Sequence, residues 1–174
     1  KTVRTLPGHA SPIRALAYHP DRPILASASD DRTIKLWNLD TGEEIVTLTG
    51  HGEPVQDVVF SPKGERLASA SRDLTVRVWD FELFARDPTK GVQILKGHNS
   101  AVKAVDFHPG GKWLYAVSEV SDFRGEKAGA ISAFAIDKAS GKLTLLNQQS
   151  AKGTVTCHLV VDKGGKFVLA ANYG

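Results

Sequence analysis

The chain has 174 residues, 41% hydrophobic and 24% charged, with one cysteine and no methionine. This is enough for one compact domain with a real core, or for two small ones. One cysteine excludes a disulfide framework and a cysteine-cluster zinc site, and no apolar run approaches the ~20 residues of a membrane span. The net charge of +3 comes from 22 basic residues scattered among 19 acidic ones, so neither a nucleic acid nor a membrane is an expected partner. With no signal segment, the chain is expected in the cytoplasm. Because it starts at Lys1 and lacks methionine, a processed or trimmed chain is expected.

An outer-type strand, Thr2–Leu6, opens the chain. Gly8-His9 follows, then strands expected near 13–18, 24–29, 33–39 and 44–48, with a turn at His19-Pro20-Asp21. The same string then returns. Gly50-His51 and Gly97-His98 repeat Gly8-His9 at intervals of 42 and 47, and Trp37 and Trp79 lie 42 apart. Residues 9–39 align without a gap on 51–81. Each copy runs from Gly-His through an alternating strand, a proline turn, Leu-Ala-Ser-Ala-Ser and Asp-x-Thr to a strand bearing Trp. The second set predicts strands near 55–60, 67–71, 75–81 and 92–95, with Phe81–Pro88 as the candidate helical turn. The third set begins near 102–107, turns at His108-Pro109-Gly110-Gly111, and then departs. Glu126 stands where a tryptophan is due, 28 residues after His98, and Phe134 comes 36 after it. The polar loop Ser121–Lys127 accounts for the difference. Two last strands are expected near 156–162 and 167–173, around the hairpin turn Lys163-Gly164-Gly165.

Gly-His and Trp-Asn or Trp-Asp at this period make residues 1–109 similar to WD40 repeats, each of which forms one propeller blade. Residues 113–174 resemble a different family of seven-bladed propellers, the lactonases that include 6-phosphogluconolactonases. That likeness is carried by Leu-Tyr-Ala-Val-x-Glu, Gly-x-Ile-Ser-Ala-Phe-x-Ile-Asp, Gly-Lys-Leu-Thr-Leu-Leu, Cys-His-Leu-x-Val-Asp and Gly-Lys-Phe-x-Leu-x-Ala-Asn-Tyr-Gly. The two resemblances imply an all-β fold of about four four-stranded antiparallel β-propeller blades, an incomplete ring per chain. Residues 1–174 then form a single propeller segment, with WD40-like blades over 1–109 and lactonase-like blades over 110–174, spliced near His108–Trp113 within one blade.

In WD40 repeats a buried network joins a strand Trp, a hydroxyl, a turn Asp and the Gly-His histidine. Here the resemblance points to His9, Ser29, Asp31 and Trp37, then His51, Ser71, Asp73 and Trp79, with Ser27 and Ser69 as alternative hydroxyls. A buried imidazole and carboxylate are costly unless every polar atom is paired, and a closed network pairs them. Ser, His and Asp also suggest catalysis, but a set that recurs in each blade is architecture, whereas an active site occurs once. The third unit lacks the Trp and the Asp, so His98 is expected to be exposed or differently paired. His19 and His108 are read as surface-turn residues. Cys157 and His158 are neighbours in a strand and point to opposite faces, so they make no nucleophile–base pair, and Cys157 is assigned to the core or a narrow loop. No metal ligand set and no cofactor are expected.

Two functions follow from these resemblances. The first is a non-enzymatic scaffold, an engineered or recombined hybrid that assembles into a closed ring. Its candidate binding face is Arg14, Asp30, Gln56, Arg72 and Lys103, and a natural WD40 protein-interaction platform is the related alternative. The second is residual sugar-lactone hydrolysis, for which the lactonase likeness carries over Glu119, Arg124, His158 and Asn172. A base to activate water and a cation for the oxyanion are what that reaction needs. Four blades shaped for a larger ring span roughly half a circle. The expected partner is therefore a second copy in a homodimer, closing an approximately eight-bladed ring in which each N-terminal strand completes the other chain's last blade.

Overall fold

A computed structural model describes residues 5, 6, 8–120 and 122–173. Four antiparallel sheets follow one another along the chain, each with its strands in sequence order. The first holds β1 (Ile13–Tyr18), β2 (Ile24–Ser29), β3 (Ile34–Asn38) and β4 (Glu44–Leu48). The second holds β5 (Val55–Phe60), β6 (Arg66–Ser71), β7 (Val76–Asp80) and β8 (Val92–Leu95). The third holds β9 (Val102–Phe107), β10 (Trp113–Ser118), β11 (Ala130–Ile136) and β12 (Leu143–Ser150). The fourth has two strands, β13 (Thr156–Val161) and β14 (Val168–Asn172). These are propeller blades, three of four strands and one of two. The expected strand at Thr2–Leu6 lies outside the described residues, apart from Thr5 and Leu6, which are not in a strand. The candidate helical turn is α1 (Phe81–Phe84). Its start is capped by the Asp80 carboxylate, which accepts from the Leu83 amide, while Phe81 and Phe84 are buried. No helix among the described residues is long and apolar enough to cross a membrane.

Sequence chemistry explains the layering. β2 and β6 carry Leu-Ala-Ser-Ala-Ser and are buried along both faces. Small side chains let a middle strand be covered on each side at the ~10 Å spacing of stacked sheets. Larger residues then fill the gaps. Ile34, Leu36 and Leu48 of the first blade pack with Val55, Phe60, Leu67 and Trp79 of the second. Val76, Val78 and Leu95 pack with Val102, Phe107, Leu114 and Phe134. A smaller cluster of Ala104, Val117 and Leu159 joins the third blade to the fourth. The first strand of each blade packs on the first strand of the next, β1 on β5, β5 on β9 and β9 on β13. Among the described residues no comparable packing joins the first blade to the fourth.

Carboxylates and turn histidines tie the blades together. Asp57 in β5 accepts from the Val105 amide of the next blade at 2.9 Å, and Asp106 in β9 accepts from Val161 at 2.8 Å. His19 is not the surface-turn residue expected. It is buried, with its ring edge-on to Phe60 and Phe81 of the second blade. A Cβ at Gly64 would come within 2.2 Å of that ring, and φ there is +70°, so glycine alone suits the position. His108 covers Gly165 in the same way and donates from Nε2 to its carbonyl at 3.1 Å.

Candidate functional site: blade networks and bulged first strands

In the first blade His9 Nδ1 meets Asp31 at 2.8 Å, and Nε2 meets the Ser27 hydroxyl at 2.7 Å. Trp37 Nε1 donates to the same hydroxyl at 2.8 Å. With Nδ1–H given to Asp31, Nε2 accepts the Ser27 proton, and the hydroxyl oxygen accepts from the indole. Burial pushes the Asp31 carboxyl up, but hydrogen bonds from Thr33, His9 and the Ala10 and Thr33 amides outweigh it and hold it well below the usual carboxylate range. The second blade repeats the set: His51 to Asp73 at 2.7 Å, His51 to Ser69 at 2.8 Å, and Trp79 to Ser69 at 3.2 Å. Burial keeps the His51 imidazole below its ordinary pKa, although Asp73 opposes this.

The hydroxyls are therefore Ser27 and Ser69, and the assignment to Ser29 and Ser71 is corrected. Register is the reason. Trp37 lies opposite Leu25, and Trp79 opposite Leu67. Ser27 and Ser69 are one two-residue step along the same face, within reach of the indole. Ser29 and Ser71 are two such steps away, about 13 Å. Those hydroxyls instead hold the turn. They donate to the carbonyls of Ser11 and of Glu53 and Pro54, and accept from the Asp31 and Asp73 amides. Replacing Ser69 with alanine strands both the Trp79 N–H and the His51 ring nitrogen. The expected loss is about 2 kcal/mol in urea unfolding, with Ser140→Ala in an exposed turn as the control that loses less than half as much.

The third blade lacks every partner of its histidine. The places of Ser69, Asp73 and Trp79 are held by Ala116, Val120 and Phe134; Phe134 lies opposite Leu114, as Trp79 lies opposite Leu67. His98 is neither exposed nor paired elsewhere among the described residues. It is buried, with no hydrogen bond at either ring nitrogen, and faces Phe134 at 6.2 Å between centroids. Ala and Phe fill the volume but supply no polar atom, so the imidazole stays behind without its network.

A second regularity concerns the first strand of each blade. The pairing register slips between Ile13 and Ala15, Val55 and Asp57, Val102 and Ala104, and Thr156 and His158. One residue is therefore extra in each: Arg14, Gln56, Lys103 and Cys157. A β-bulge re-aims its extra side chain. Three of these four are binding-face candidates; sequence reasoning missed that Cys157 is the fourth. Its Sγ reaches the Ala171 carbonyl at 3.5 Å from a half-buried strand position, so it sits in neither core nor loop. The other two candidates, Asp30 and Arg72, flank the bulges. Arg14 forks onto Asp30, with Nε to Oδ1 at 2.8 Å, and Arg72 acts on Asp30 through its charge. Lys103 pairs with Glu119 at 2.7 Å. Gln56 is half-buried, and its Nε2 has no partner among the described residues.

The four lactonase-type residues come from the end of the third blade and from the hairpin of the fourth, where His158 lies opposite Ala171, the neighbour of Asn172. Glu119 lines an open cleft of about 330 Å³ with Asn99, Ser100, Val120, Thr154 and Val155. Arg124 sits in the hairpin tip at φ +54°, its guanidinium 5.1 Å from the Phe123 ring. Asn172 accepts from Thr156 at 2.6 Å and donates to the Ala151 carbonyl at 3.1 Å. His158 is exposed on β13, close enough to Asp57 and Asp106 for its charge to act on both. No hydrogen bond or ion pair links any two of Glu119, Arg124, His158 and Asn172 among the described residues. No group of three or more metal-ligating side chains is found among those residues either.

Comparison with known proteins finds both families along the chain. Residues 1–38 and 42–80 match the family described as WD domain, G-beta repeat, and residues 89–174 match the one described as Lactonase, 7-bladed beta-propeller. The nuclear distribution protein PAC1 of Coprinopsis cinerea is 50% identical over 116 residues, 67% of this chain and 26% of that protein. A match of that length must run into the stretch that also matches the lactonases, so the third blade resembles both. A 6-phosphogluconolactonase of Formosa agariphila is 36% identical over 83 residues, 47% of this chain and 23% of that protein. One from Bacillus subtilis is 46% identical over 50 residues, 29% of this chain and 14% of its own. The chain thus spans about a quarter, or less, of the length of these relatives.

Proposed function

Starting from a chain that joins WD40-type blades to lactonase-type blades, we propose that it works as a non-enzymatic propeller scaffold that binds a second copy of itself. Apolar clusters continuous across the family boundary are what an engineered or recombined hybrid needs in order to share one ring. The closed state of the first two blade networks carries the reading. Each Ser-His-Asp set has its hydroxyl buried beneath an indole, where no substrate carbonyl could approach. No hydrogen bond or ion pair joins the four lactonase-type residues among the described residues, and catalysis depends on holding such groups together. Two copies would form a ring of about eight blades, each N-terminal segment finishing the other's last blade. The exposed Leu16 and Tyr18 on β1 support that assembly. Protein partners would meet it at the bulged residues, in the manner of a WD40 platform in the cytoplasm.

Residual lactonase is the second reading, favoured by the cleft at Glu119. A sugar-lactone hydrolysis assay on the parent chain and on His158→Ala separates the two. Both proteins should show no turnover above buffer. Turnover in the parent that His158→Ala removes would establish the enzyme instead.

A further inference from the structure

The two outermost blade faces match the two sides of the contacts inside the chain. Moving from blade to blade, Ile13, Leu16 and Tyr18 occupy the places of Val55, Val58 and Phe60, then of Val102, Val105 and Phe107, then of Thr156, Leu159 and Val161. All nine of the latter are at most 8% exposed, because each faces the preceding blade. Ile13, Leu16 and Tyr18 are 51%, 58% and 71% exposed. At the other end, Val160, Phe167 and Leu169 occupy the places of Ala17, Ile24 and Ala26 in the first blade. Those three pack against the second blade, but Val160, Phe167 and Leu169 are 44%, 66% and 58% exposed. One face is what a blade offers backward, the other what it offers forward.

We infer that these faces are the two halves of one missing blade–blade contact, so that a second copy docks head to tail: the β1 face of each chain takes the β13–β14 face of the other. This rests on the ring-closing reading above and adds which surfaces meet and in what sense. The turns support it independently. Inside the chain a forward-facing His19 or His108 sits over a glycine of the next blade, Gly64 or Gly165. The first blade has Arg22 at the glycine position, which would bar a histidine. The fourth blade carries no histidine there. It has Asp162, a short side chain of opposite charge, held to its own turn by the Gly164 and Phe167 amides. Within the single chain Arg22 lies over the Phe81 ring and reaches the exposed Glu82 at 3.1 Å, a surface ion pair of little strength.

The arrangement predicts an unusual mutational pattern. Leu16→Asp and Phe167→Asp change exposed side chains, so both variants should fold, with circular dichroism spectra like the parent. In a head-to-tail pair each one spoils both contacts, because every contact contains one face of each kind. Measured by light scattering or sedimentation, the parent should have twice the chain mass. Each variant should be a monomer, its association weakened by roughly a hundredfold or more. An equimolar mixture should recover dimer, because the β13–β14 face of Leu16→Asp and the β1 face of Phe167→Asp are both intact. If the parent is a dimer and only one variant dissociates, or the mixture stays monomeric, the head-to-tail inference falls and the closed ring with it, while the binding of a second copy stands. A monomeric parent overturns both.

Discussion

Trp79→Ala should lower the unfolding free energy by about 3–5 kcal/mol, the range for deleting a buried aromatic side chain. Trp79 is almost fully buried, between the second blade's own strands and Ile34, Leu36 and Leu48 of the first. Its removal opens a cavity at a contact that no solvent reaches. It also takes away the donor that closes the Ser69, His51 and Asp73 network. Trp37→Ala should cost less, although the local network is the same. Among the described residues no blade precedes the first, and Trp37 is covered by the Gly8-His9 segment: a Cβ at Gly8 would lie 2.8 Å from its ring. Urea or thermal unfolding of both variants measures the difference. A loss under about 0.5 kcal/mol for Trp79→Ala would contradict the WD40 assignment of the second blade.

Between about pH 4 and 7 the largest pH effect should come from His98. Burial without a partner lowers its pKa to about 4, from the ordinary 6.5. As the pH falls, the unfolded chain takes up this proton before the native one does, so the native state loses ground. The contribution is fully present above pH 6.5, declines down to about pH 4, and is constant below that. A window of about 2.5 units corresponds to about 3 kcal/mol. Asp57 works in the opposite sense. Burial raises its carboxyl to about 6, so the native chain takes up that proton first and gains stability as the pH falls from about 6 towards 4. The two nearly cancel in the parent, and only a difference isolates His98. His98→Leu should become progressively more stable than the parent between about pH 7 and pH 4, by up to about 3 kcal/mol. A gap that does not change with pH would show that His98 takes up its proton in the folded chain at no cost.

Strand placement was most readable in the first two blades, where repeat and turn chemistry agree. Alternation sets the strand and a proline turn ends it, as at His19-Pro20-Asp21 and Ser61-Pro62-Lys63-Gly64. Choice within a face was less readable. Ser27 and Ser29 have the same side-chain direction in β2, and only the pairing of Trp37 with Leu25 selects between them. Phe134 in the place of a tryptophan was readable from the spacing, once the longer loop before β11 is allowed for, and its pairing opposite Leu114 bears this out. The bulges did leave a trace. Ile13, Leu16 and Tyr18 are spaced by three and then two, as are Val55, Val58 and Phe60, and Val102, Val105 and Phe107. A strand without a bulge would space them by two throughout. How Glu119, Arg124, His158 and Asn172 stand to one another was beyond reach, because a family motif fixes which residues are present but not which neighbouring blades complete the site.

The bulge at Cys157 makes the chain convenient to instrument. With one cysteine and no methionine, the molecule carries a single sulfur atom. Maleimide chemistry would therefore tag one known point on the first strand of the fourth blade, a strand position rather than a floppy loop. Two spin labels or fluorophores on a pair of chains would report one distance with no ambiguity of assignment. Because Arg14, Gln56 and Lys103 have the same strand position in the other blades, moving the cysteine to each in turn would give a set of stepped rulers around the propeller.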